Sequence, residues 1–188
     1  YCTEAYNRYL RAADLDNGDA GALILAAENR FRNNAPVDLE IRQRIISELS
    51  TARFRWTTYN TLHKVLVEAD PARALPAVWL ANWAEAALSN PTSPGRAKVM
   101  IRAGYAQLLF NRMGRFEYAE EQLARAVQSR TDDIGLMMQL VQLRLARGNF
   151  VGASEALDDI RGVQGSWAYS GVIDALDREL GRSVVIPD

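Results

Sequence analysis

The sequence is poor in the residues that catalytic and metal sites use most. Its 188 residues include one cysteine, Cys2, and one histidine, His63. A lone thiol cannot close an internal disulfide, so there is no disulfide framework, and the redox compartment is left open. The same scarcity excludes a metal centre built on His and Cys. Lysine is nearly missing: of 22 basic residues only Lys64 and Lys98 are lysines, and the rest are scattered arginines, as a GC-rich coding sequence would give. A formal charge of −1 leaves no basic footprint for a dedicated nucleic-acid binder. The longest small-and-apolar run, Ala20 to Ala27, falls far short of the roughly 20 residues that cross a bilayer, and no signal, transit or lipidation motif is visible. Strand signals are also scarce, since Val184-Val185-Ile186 stands alone and no long Val/Ile/Thr alternation occurs.

What is present points to helices. The chain is 48% apolar and 24% charged, the balance of a folded domain, and Ala, Leu, Arg and Glu fill most of it. Breakers recur at Asn17-Gly18-Asp19, Asn33 to Pro36, Asp70-Pro71, Asn90 to Gly95, Gly114, Thr131 to Asp133, Gly148 and Gly162 to Gly165. They predict ten helices, near 3–15, 19–32, 38–52, 58–69, 76–89, 95–112, 116–129, 133–146, 150–161 and 167–180. Asp19 and Ser93 read as N-caps, the latter with Pro94 at the first helical position. Gly114 and Gly148 read as left-handed stops, where a side chain would clash. Short connections predict antiparallel hairpins between neighbouring helices.

The hairpins repeat. Sliding residues 109–126 by 34 positions onto 143–160 pairs Leu109 with Leu143, Gly114 with Gly148 and Phe116 with Phe150. The same shift pairs Ala119 with Ala153, Glu121 with Glu155 and Leu123 with Leu157. In each copy glycine ends one helix, phenylalanine opens and plugs the next, alanine permits close approach and leucine fills the core.

The segments Met113 to Ala119 and Arg147 to Ala153, each a glycine-x-aromatic-x-x-alanine turn, resemble the tetratricopeptide repeat family, whose unit is a 34-residue helix-turn-helix. Ala5, Tyr9, Ala12 and the exit Leu15-Asp16-Asn17 resemble the second helix of a further unit, so the chain reads as starting inside a repeat of a longer protein. Ala106-Gln107 and Thr131 depart from the pattern, and 35–93 match no consensus. The resemblance implies an all-α fold, a right-handed superhelix or α-solenoid of antiparallel hairpins. Its segments would be partial and first repeats at 1–34, divergent hairpins at 35–93, two repeats at 94–165, and a capping helix with its tail at 166–188.

Candidate chemistry is thin. His63 lies in a predicted helix with no nucleophile beside it and reads as an ordinary boundary residue. Glu120-Glu121, Asp132-Asp133 and Asp158-Asp159 are adjacent pairs that diverge on a helix, so caps and the helix dipole explain them better than paired catalysis. No glycine-rich phosphate cradle occurs, and no cofactor, metal or catalytic residue is expected. Arg30-Phe31-Arg32, Arg42 to Arg44 and Arg53 to Trp56 form the basic, aromatic-interleaved stretch. It reads chiefly as salt bridging within the stack, with an anionic ligand or an acidic partner segment as the second reading and nucleic acid as a remote third. Trp79, Trp83, Tyr105, Phe110, Phe116 and Phe150 read as core.

The resemblance implies a protein or peptide partner in a groove lined by the first helix of each pair. The residues facing it would be Ile24 and Glu28, then Gly104, Leu108, Asn111 and Arg112, then Met138, Gln142 and Leu145. The function expected is therefore a non-catalytic interaction or scaffold domain, with no transmembrane segment of its own. Domains of this look extend bacterial membrane proteins of envelope glycan assembly, which would place the chain in the periplasm; otherwise it is cytoplasmic. Two other readings stand beside it: a glycan-binding accessory domain using Arg53 to Trp56 with Trp79 and Trp83, and a homo-oligomerisation module.

Overall fold

A computed structural model describes residues 2–16, 19–70 and 73–184, with side chains from 3 to 181. The Cys2 thiol, the Asn17-Gly18 breaker, Pro71 and the Val185-Ile186 tail lie outside the described residues. Among the described residues the chain is all helical: α1 (Cys2–Leu15), α2 (Ala20–Arg32), α3 (Leu39–Thr51), α4 (Trp56–Leu66), α5 (Ala77–Ser89), α6 (Gly95–Met113), α7 (Phe116–Ser129), α8 (Ile134–Ala146), α9 (Phe150–Gly162) and α10 (Ser170–Val184). A 3-10 turn, Ser166–Tyr169, leads into α10. None of these helices is long and apolar enough to cross a membrane.

Local chemistry sets the ends. Asp19 Oδ1 accepts from the Gly21 amide at 2.9 Å, Asp133 from Leu136 at 3.2 Å and Asn149 from Gly152 at 3.1 Å, each capping a helix start. Gly114 and Gly148 close α6 and α8 at φ +63° and +75°, the left-handed conformation that only glycine adopts without strain. Ser93 is not a cap. The helix α6 starts two residues later, Pro94 makes no side-chain cap bond, and the buried Ser93 hydroxyl faces that of Tyr59 instead.

The helices form two compact units, Tyr1–Arg115 and Phe116–Asp188, and this division falls inside the stretch 94–165. In the first unit α1 pairs with α2, and α2 packs on both α3 and α4. The remaining neighbours are two apart in the chain as well as adjacent: α3 with α5, α4 with α6, and α5 with α4 and α6. The partners of α3 are thus α2 and α5; it does not form the expected hairpin with α4.

Residue contacts give these skipped pairs a common direction. Near its start α3 meets the start of α5, with the Arg42 guanidinium 4.5 Å from the Trp79 ring. Near its end it meets the end of α5, where Asn90 Nδ2 donates to the Leu49 and Ala52 carbonyls at 2.9 Å each. The two helices therefore run parallel. The same holds for α4 and α6: Arg96 lies 6.0 Å from the Trp56 ring, and further along a Cβ on Gly104 would meet His63 Cδ2 at 3.0 Å. At the start of α2, Asp19 Oδ1 also accepts from Thr58 Oγ1 of α4 at 2.8 Å. At the end of α2, Arg32 lies 3.7 Å from Glu68, just past α4. So α2, α4 and α6 run side by side in one direction, and α3 with α5 in another row.

The core follows this arrangement. Leu23, Ile45, Leu62, Leu80, Trp83 and Tyr105 are fully buried. Burying such side chains contributes about 1.5–3 kcal/mol each. Asn90 is buried as well, and its Oδ1 accepts from the Thr92 amide and hydroxyl at 2.8 Å each, so every polar atom of the amide has work and a partner.

In the second unit α8 packs on α7, α9 and α10. Its core combines Ile134, Met137, Val141 and Leu145 of α8 with Ala153, Ala156, Leu157 and Ile160 of α9, closed by Ile173 and Leu176 of α10. The amphipathic α10 thus contributes Ile173 and Leu176 to this core. A half-buried ion cluster joins α7 to the α8–α9 turn: Glu120 accepts from Arg144 Nε at 2.9 Å and from Arg147 Nη1, and Arg144 Nη1 donates to the Gly152 carbonyl at 2.7 Å. This cluster accounts for Glu120 better than the helix dipole does.

Candidate binding cleft on the first helical unit

The even-numbered row of the first unit opens at one end. Between the C-terminal turns of α4 and α6, and beneath the segment that leads to α5, lies a cleft of about 470 Å³. Leu66, Ala74 and Leu108 supply an apolar floor; Glu68, Gln107, Asn111 and Arg112 supply polar groups. The cleft exists because α4 stops early. The helix ends at Leu66 with Val67 as its cap, short of the expected end at 69, while α6 runs on to Met113. The residue before Pro71 is disfavoured in helical geometry, which agrees with an early stop.

The walls are held in place. Arg112 Nη2 donates to the Leu75 carbonyl at 2.7 Å, pinning the approach to α5 against α6. Glu68 Oε1 accepts from the Asp70 amide at 3.0 Å, and Glu68 also pairs with Arg32, which in turn pairs with Glu28. A chain of alternating charges, Glu28, Arg32 and Glu68, thus runs across the ends of α2 and α4 to the cleft. Deeper down, the small Gly104 admits His63 and Leu66 of α4, with Leu66 Cβ 3.3 Å from where a Gly104 Cβ would stand. Gly104 therefore sets the α4–α6 spacing and is not a groove-facing position. Burial in this crossing pushes the His63 imidazole below its usual pKa, because the charged form loses hydration.

Of the residues expected to line a groove, Leu108, Asn111 and Arg112 do come together here, Leu108 as floor and the other two at the exposed mouth. Glu28 joins through the charge chain. Ile24 does not: its side chain is 0% exposed and belongs to the core. The other three lie in the second unit. There Leu145 is a buried core residue, Met138 packs partly against the same core, and Gln142 is exposed. Periodicity identified the helix in each case but not the face, because Ile24 and Leu145 lie on helices apolar over more than one stripe. Reasoning from sequence also missed Glu68 and Ala74, which sit in a connecting segment with no helical phase to reveal them.

Arg30, Arg44 and Arg55 pair with Asp38, Asp14 and Asp16, so most of the basic stretch is engaged within the fold. The Arg55 guanidinium holds the Asp16 carboxyl below its ordinary value. Trp83 is wholly buried and cannot touch a glycan, and Trp79 is covered by Arg42 and by the edge of Phe31 at 6.4 Å. Of the three tryptophans Trp56, Trp79 and Trp83, only Trp56 is substantially exposed. Phe116 is 45% exposed, a departure from the plug it was expected to be, while Phe150 packs against the second core. Among the described residues no three His, Cys, Asp or Glu side chains gather as a metal would need.

Compared with models of known families, with curated proteins and with solved structures, the chain matches none.

Proposed function

We propose that this chain is a tetratricopeptide-like helical-repeat domain whose work is non-catalytic: it holds a peptide or a helix of a partner protein in the cleft between α4 and α6. The observation that carries the reading is the convergence of Leu66, Ala74 and Leu108 under a mouth rimmed by Glu68, Asn111 and Arg112. An apolar floor with a few oriented polar groups suits a side chain anchored by burial and a backbone held by an amide. The parallel placement of α2, α4 and α6, and of α3 and α5, supports a superhelical stack, because hairpins repeated in one sense bring helices of like parity side by side. The Gly114 and Gly148 turns support the resemblance to the 34-residue unit. The carboxylate nearest the cleft, Glu68, is already engaged by Arg32 and a backbone amide, which suits a binding wall better than a general base.

Residues 69 and 111 offer the test, since both line the cleft yet are exposed, so that a bulky side chain there spares the core. Binding of a fluorescent peptide selected on the whole chain is expected to weaken at least about tenfold in Ala69→Trp and in Asn111→Trp, with melting unchanged. Unchanged affinity in both would refute the cleft as the site. Light scattering on the same samples distinguishes a peptide receptor from a self-associating module: loss of a dimer in these variants would assign the cleft to a second copy.

A further inference from the structure

We infer that Arg42, laid on the face of Trp79, receives a carboxylate from a partner segment in which an acidic residue is flanked by apolar ones. Within the basic stretch, Arg30, Arg32, Arg44 and Arg55 each meet a carboxylate of the fold. Among the described residues Arg42 and Arg53 meet none; Arg53 is exposed, whereas Arg42 is half-buried. Asp38, one turn before it on the chain, is turned toward Arg30 at 3.9 Å and accepts from the Tyr6 hydroxyl at 3.5 Å; Glu48 lies 3.9 Å from Arg44. The Arg42 Nε is buried without a hydrogen-bond partner, and it is the one such side-chain atom among the described residues.

Its surroundings favour an anion. A guanidinium stacked on an indole, here 4.5 Å from the ring centre, keeps a fixed plane and presents its in-plane N–H groups as a fork that fits a carboxylate. The first turns of α3 and α5 meet at this point, and neither Asp38 nor Pro76 caps its helix with a side-chain bond. The amino-terminal ends of both helix dipoles add to the positive potential around Arg42, partly offset by the exposed Glu40 in the first turn of α3. The ligand's apolar flanks are read from Leu39, one turn before Arg42, and Val78, next to Trp79, both more than half exposed. A free phosphate would leave these two side chains unused, and an acidic segment of protein would cover them. This surface does not involve Asn111 or Ala69, so it stands or falls independently of the α4–α6 cleft.

An array of octapeptides with a central Glu, Gln or phosphoserine, flanked on both sides by Leu or by Ser, tests it with the full chain as probe. The Leu-flanked Glu peptides are expected to be retained at least about tenfold better than their Gln counterparts. Arg42→Met keeps the packing on Trp79 and is expected to reduce the Glu peptides to the Gln level, with a melting temperature equal to or above that of the unsubstituted chain, since the unpartnered Nε is gone. Arg42→Lys keeps the charge without the planar fork and is expected to lose at least about fivefold, which decides the matter should Arg42→Met not fold. Asn111→Trp is expected to leave these peptides unaffected. Equal retention of Glu and Gln peptides, or Arg42 variants that bind as the unsubstituted chain does, would overturn the inference. Retention of phosphoserine peptides ten times above the Glu peptides would overturn the choice of carboxylate.

Discussion

The two helical units reach similar packing with very different sequence. In the second, the glycine turn, the Phe150 contact, the small Ala153 and the buried Leu157 follow the repeat template that the 34-residue shift exposes, and α8 nests on α9 through them. In the first, residues 35–93 follow no template, yet α3 lies parallel to α5 and α4 to α6. What replaces the template is a set of particular contacts. Asp19 joins the start of α2 to Thr58, Asn90 ties the end of α3 to the end of α5, and Gly104 lets α4 and α6 meet. A periodic motif is one way to specify stacked helices; buried polar ties and one missing side chain are another, and the latter leave no period behind.

The polar ties of the first unit are most vulnerable at Asn90. Replacing it with leucine removes the donor from two carbonyls and the acceptor from Thr92, and stranding buried backbone groups costs about 1–3 kcal/mol each. Asn90→Leu is therefore expected to lower stability by about 2–4 kcal/mol, with hydrogen exchange accelerated in α3 and α5 and little changed in α8 and α9. Exchange that quickens equally in both units would show that the tie is not local to the first.

Gly104→Ala comes next. The added methyl would lie 3.0 Å from the His63 ring, and overpacking of this kind costs about 1–3 kcal/mol. Combining it with His63→Ala should recover part of that loss in urea unfolding; strictly additive losses would deny the contact. In the second unit, Glu120→Gln loosens the pairing with Arg144 and Arg147, and about 1–2 kcal/mol is expected, since all three are mostly buried side chains. This effect should appear in α7 to α9 and should shrink in high salt, unlike that of Asn90.

The smallest effect is on pH dependence. His63 titrates below its unfolded value, so the unfolded chain takes up the proton first as pH falls. The contribution of His63 to stability is thus fully present above about pH 6.5 and is lost as pH drops from there through the folded pKa. In His63→Gln that slope between pH 7 and 5 should flatten.

Much of the fold was legible in the sequence, and the reasons are specific. Gly114 and Gly148 could be placed because positive φ admits little else, and Asp19 and Asp133 because an acid before an apolar helical run is a cap. Helix ends were harder: α4 ends before 69, where no periodic residue marks the stop. Faces were harder still. Leu108 and Ile24 look alike in a helical projection, and only the neighbouring helix decides that one floors a cleft while the other is sealed in the core. Ser93 shows the same limit, for a serine before a proline reads as a cap until Tyr59, distant in sequence, claims its hydroxyl. The candidate site was half visible: Leu108, Asn111 and Arg112 were expected, whereas Glu68 and Ala74 come from the connection that the shortened α4 leaves behind.

The parallel contact of α4 with α6 builds the cleft, and the single histidine reports on it without ambiguity. An NMR titration of the His63 ring, combined with nuclear Overhauser spectra, is the most direct check. A ring pKa below 6.5 together with a cross-peak from His63 Hδ2 to the Gly104 Hα protons is the predicted result. A ring that titrates at the ordinary value and shows no proximity to Gly104 would contradict the stacking on which the cleft depends.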